Sequence, residues 1–132
     1  MKKRFLITAV FISFLLAFNA LSSSQPARIQ QAQRSFARNR TEMTAIAEGF
    51  AAGGRVNADA ASMRGVQRIT VHQNPDWLEF QTEAFGLASA SVYSGVYFSP
   101  TDEAMHPNMG GGDNRWHTQR ICENWYYYEA SF

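Results

Sequence analysis

Two periods divide the chain. Apolar residues at Ile29, Ala32, Phe36, Met43, Ile46 and Phe50 recur at spacings of three, four or seven, which places them on one stripe of a helix with Asn39 in the single polar slot. The run "SSSQP" before the stripe supplies a break with Pro26 in the first turn, and Gly53-Gly54 after it supplies a stop. The pattern predicts an amphipathic helix over 27–52, inside a segment 25–54. A connector, 55–64, follows, with room for one short helical turn.

From Gly65 the period is two. Ile69 and Val71 alternate with Arg68, Thr70 and His72; Asn74-Pro75-Asp76 marks a turn; Leu78, Phe80, Thr82 and Ala84 then alternate with Glu79, Gln81 and Glu83, as in a β-hairpin. In this register Glu79 and Glu83 share the exposed face. A third strand puts Val92, Ser94, Val96 and Phe98 on one side and Tyr93 and Tyr97 on the other, and Pro100 stops it. The polar stretch 100–114, "PTDEAMHPNMGGGDN", is a long loop, and loops of such length in small domains are usually functional or disordered. Two more strands, Arg115 to Cys122 and Trp125 to Phe132, turn at Glu123-Asn124. On the last, Tyr126, Tyr128, Ala130 and Phe132 point one way and are assigned to the core; Trp125, Tyr127 and Glu129 point the other. The expected fold class is α+β, one amphipathic helix and an antiparallel sheet of four to five strands in a body over 65–132.

Ahead of the helix, residues 1–24 read as a signal peptide or signal anchor. Lys2, Lys3 and Arg4 precede the uncharged run "FLITAVFISFLLAF", the layout of an export signal. Taken to Leu21, the run would be about 26 Å long as a helix, slightly short of a bilayer core. Cleavage near "ALSSSQ" gives a secreted protein; without cleavage, residues 5–21 are its only membrane contact. Arg28, Arg34, Arg38 and Arg40 follow the run, but the basic residues at its start dominate orientation. The expected location is therefore extracytoplasmic.

Charge sharpens this layout. Residues 25–75 hold seven arginines and three acids, and residues 76–132 hold two arginines and eight acids. A basic helix thus leads into an acidic, aromatic body, a balance that does not suit nucleic acid. Cys122 is the only cysteine, so no internal disulfide supports the body.

Catalytic signals are weak. Cys122 and His117 lie five apart, on opposite faces of a regular strand. Asp102, Glu103, His106, Asp113 and His117 match no defined metal-ligand spacing, and the Glu79/Glu83 pair reads as a solvated face. No catalytic residue, metal site or cofactor is assigned. What stands out is aromatic: Trp77, Tyr93, Tyr97, Trp116, Trp125 and Tyr127 exceed what one side of a small sheet requires, and such rings suit contact with a protein, peptide or glycan.

The order of apolar segment, helix "PARIQQAQRSFARNRTEMTAIAEGF" and small sheet is similar to type IV pilins and pseudopilins in architecture only, since Arg4-Phe5 does not form the prepilin processing motif. The stretches "VYSGVYFSP" and "GGGDNRWHTQRICENWYYYEASF" resemble small uncharacterised exported proteins of Gram-positive bacteria. The expected function is a non-catalytic extracytoplasmic binding or interaction module of a bacterial cell. The alternative is a pilin-like or coiled-coil subunit that self-associates through the helix.

Overall fold

Helix α1 (Gln25–Ala51) opens the described part of the computed structural model, which covers residues 25–87 and 90–132. The signal or anchor assigned to 1–24 lies outside the described residues. Ala32, Phe36 and Met43 of the predicted stripe are buried on α1, with Ile29, Ile46 and Phe50 partly so, and Ala47 is buried beside them. Gly53 closes the helix at φ 79°. The Gly53 N–H donates to Phe50 O at 2.9 Å and the Gly54 N–H to Gly49 O at 2.8 Å, a Schellman stop that needs the left-handed conformation at Gly53.

Asn39 does not leave its polar slot idle. Its amide donates to Ser35 O at 2.9 Å and to Arg64 O at 3.0 Å, tying the connector back to the helix. That connector holds one 3-10 turn, Ala60–Ser62, capped by the Asp59 carboxylate, and it delivers Met63 and Val66 into the core.

Five strands follow: β1 (Arg68–His72), β2 (Trp77–Leu87), β3 (Ala90–Phe98), β4 (Arg115–Cys122) and β5 (Trp125–Ser131). They form one antiparallel sheet in the order β1-β2-β3-β5-β4. The aromatic β5 is thus a central strand, hydrogen-bonded on both sides, with β1 and β4 at the edges.

Two bulges break the period of two. Thr82 is the extra residue between Gln81 and Glu83 against β3, so everything beyond it changes face. Glu79 and Glu83 therefore do not share an exposed face: Glu79 is buried on the side opposite the helix, bonded by His72 and Tyr128, and Glu83 turns to the helix side near Arg28. Gly95 sits opposite the bulge, where a Cβ would lie 2.1 Å from Phe80 O. The second bulge, Ile121, brings Cys122 to the same face as His117. Cys122 packs against the helix-side core while His117 is exposed, its ring 6.3 Å from Tyr127, and no hydrogen bond joins the two among the described residues.

Both faces of the sheet are covered. α1 lies over β2, β3 and β5 and seals Leu78, Phe80, Val96, Trp125 and Tyr127. The opposite face carries Trp77, Tyr97, Tyr126 and Tyr128, with Met105 from the loop packed on them. The predicted orientation of β5 holds, but its assignment is corrected at two points. Trp125 and Tyr127 are core under the helix, and Phe132 is half exposed.

Candidate functional site

The loop 99–114 is fastened to the sheet at two places. At its start, Asp102 adopts φ 53° and its carboxylate accepts from the Asn124 N–H at 2.7 Å and from Arg120 Nη2 at 2.5 Å. The Tyr126 hydroxyl donates to Asp102 O at 2.8 Å. Arg120 first, then the Asn124 amide, hold the Asp102 carboxyl below its ordinary value.

At its middle, both main-chain groups of Met105 are held. Its N–H donates to the Tyr97 hydroxyl at 3.0 Å, and its carbonyl accepts from Trp116 Nε1 at 2.8 Å. The proton order beyond Tyr97 is determined, because the Thr118 hydroxyl lies 3.0 Å from Tyr127 O, a carbonyl that only accepts. Thr118 therefore donates there and accepts from Tyr97 at 2.7 Å, giving a directional chain across the sheet. Burial raises the Tyr97 pKa, so this hydroxyl keeps its proton.

Beyond Met105 the loop does not lie flat. Between its residues 105–109, the β1–β2 turn and the sheet is a cleft of about 580 Å³, within the range of small-molecule sites. Tyr93, Ala130 and Trp116 occupy one row across β3, β5 and β4. Ala130, the small residue of that row, leaves the depression, and Phe132 continues beside it, its ring 5.9 Å from Tyr93. Trp116 stacks on Tyr128 with centroids 5.0 Å apart and planes 13° from parallel.

The other wall is polar. His72 stacks on Trp77 at 3.7 Å, and its Nε2 is 2.6 Å from Glu79 Oε2. The Tyr128 hydroxyl donates to Glu79 Oε1. Burial, then the charge of Glu79, holds the Tyr128 pKa well above its ordinary value. Both oxygens of this buried carboxylate are therefore engaged, and Nε2 is the His72 nitrogen that carries the proton toward it. Arg68 lines the same cleft and donates from Nη2 to Gln81 Oε1 at 2.8 Å.

The six aromatic residues named from sequence do not form one face. Trp77, Tyr93, Tyr97 and Trp116 are on the loop side. Of these, Tyr93 and Trp116 line the cleft half-buried, Trp77 lines it with little exposed area, and Tyr97 is buried beneath the loop. Trp125 and Tyr127 are on the opposite side, buried against α1, because a central strand packed on both faces has no free side. Met105, Arg68, His72, Glu79 and Phe132 were missed. The available signal for Met105 was a single large apolar residue in the polar stretch "DEAMHP".

The His72–Glu79 pair has the form of an oriented base, but among the described residues no serine, threonine or cysteine lines the cleft with it. Binding is the chemistry that the arrangement supports directly. No protein-family model, curated protein or solved structure matches the chain.

Proposed function

We propose that the chain works as a non-catalytic extracytoplasmic binding module of a bacterial cell, and that its ligand enters the cleft between the loop residues 105–109 and the sheet. One observation carries the reading: half-buried rings of Tyr93 and Trp116 and the exposed ring of Phe132 converge with polar groups on one concave surface. The basic start and apolar run of residues 1–24 support export. Assembly through the helix has less support, since the stripe from Ala32 to Ala47 is packed on the chain's own sheet.

The test is a fragment screen by protein-observed NMR on residues 25–132, comparing wild type with Phe132→Ala. Hits are expected to shift the resonances of Tyr93, Trp116 and His106 and to weaken several-fold in the variant. A screen whose hits leave these resonances unmoved overturns the reading.

A further inference from the structure

The charges of the cleft are unevenly satisfied. Its one carboxylate side chain among the described residues, Glu79, has Oε1 occupied by Tyr128 and Oε2 by His72. The main-chain oxygen of Phe132 is turned into the ladder, accepting from the Ser91 N–H at 3.2 Å. Arg68, the one permanent cation there, has a neutral amide as its side-chain partner and forms no ion pair among the described residues. The arginines that do have acid partners, Arg28 and Arg120, lie elsewhere.

An arginine fork has five N–H donors, and a planar carboxylate takes two of them in parallel. The same cleft presents faces for a flat apolar body: the half-buried Trp116, whose other face stacks on Tyr128, the half-buried Tyr93, and Phe132. Trp77 offers less, since His72 covers one of its faces and only 6% of it is exposed.

We propose that the cleft selects a small aromatic carboxylate, with Arg68 holding the carboxylate and Trp116, Tyr93 and Phe132 receiving the ring. This rests on the binding reading above and names the class of its ligand. A ring with a cationic tail meets an unpaired arginine and an already occupied carboxylate, so the site discriminates against it.

The experiment uses three probes of matched shape, 3-phenylpropionate, 3-phenylpropanamide and 3-phenylpropylamine, titrated into residues 25–132 by NMR at neutral pH. The expected result is that the acid binds at least tenfold more tightly than the amide and the amine binds weakest. Added salt and Arg68→Gln should each reduce the acid's advantage to within about twofold, while Arg68→Lys keeps part of it. Arg68 is exposed on an edge strand, and the unchanged spectrum of each variant confirms its fold. Equal binding of acid and amide, or preference for the amine, overturns the carboxylate assignment while leaving the cleft a binding site. Failure of all three probes, with fragment hits still at Tyr93 and Trp116, also overturns it. Failure of the probes together with a blank fragment screen removes both readings.

Discussion

The two faces of the sheet are built from the same strands and closed in different ways. Under α1, apolar side chains meet apolar side chains: Phe36 lies 4.8 Å from Trp125, and Trp125 in turn meets Phe80 and Phe98 at 5.7 and 5.3 Å. A helix presents a continuous stripe, and the result is a filled core. On the other side the cover is a loop, which has main-chain donors and acceptors to satisfy before it can bury anything. The rings there are accordingly those with polar tips. Tyr97, Tyr126 and Trp116 each hydrogen-bond a main-chain group of the loop. A cover fastened at points does not seal, and where it lifts away from the sheet a cleft remains. The same abundance of aromatic residues yields stability on one side and a concave surface on the other.

The comparison breaks first at β5, where neighbouring residues serve opposite faces. Trp125→Ala should cost about 3–5 kcal/mol, the range for removing a large ring from a filled core. Phe132→Ala, with half of its surface already exposed, should cost less than about 1 kcal/mol. Urea denaturation of residues 25–132 checks both. Similar losses for the two would mean that the chain's last ring is core after all and that the cleft wall is misplaced.

A smaller effect isolates the fastening of the loop. Tyr97→Phe keeps the ring but leaves the buried Met105 N–H without its acceptor and Thr118 without its donor. The expected cost is about 1–3 kcal/mol. Amide exchange should rise at Met105 far more than anywhere in α1. Uniform loosening of both faces would show that the loop is part of the core and not a separately held cover.

These differences explain how much could be read from sequence. The helix, its stripe and the alternation along the strands were legible because each follows a period that side-chain burial enforces. Thr82 was not, since a bulge is a property of the pairing with β3, and one unseen extra residue sent Glu83 to the helix side. The face of β5 that meets the helix was equally hidden. "WYYYEA" is apolar or aromatic at almost every position because both of its faces are buried, so alternation separates the two sets of side chains without ranking them. The cleft was least visible of all. Arg68, His72 and Glu79 sit at positions that read as solvated, and only the folded chain shows Glu79 buried between His72 and Tyr128 and the other two lining a cleft.

The smallest expected effect lies where the helix face buries charged side chains. Near the start of α1, Arg28 pairs with Glu129, Nε to Oε2 at 2.9 Å and Nη2 to Oε1 at 3.1 Å, and the Tyr127 hydroxyl donates to the same carboxylate at 2.9 Å. Burial works against the Glu129 charge, but these bonds and the charge of Arg28 together hold its pKa below the ordinary value. Glu83 stands beside the pair with the opposite balance. Its Oε2 is buried with no partner among the described residues, and burial, reinforced by the charge of Glu129 and opposed by Arg28, raises its pKa. A carboxyl whose pKa is higher folded than unfolded weakens the fold when both states are ionised, and that penalty is relieved as pH falls through the folded value toward the unfolded one. Glu83→Gln removes the charge at every pH. It should therefore melt roughly 1–3 °C above wild type at neutral pH, with the gap closing as pH falls toward about 4. Thermal melts of the two proteins across that interval measure it. A variant that melts lower than wild type at neutral pH would mean that attraction to Arg28 outweighs burial, making Glu83 a working member of the ion pair and the helix face as dependent on polar fastening as the loop face.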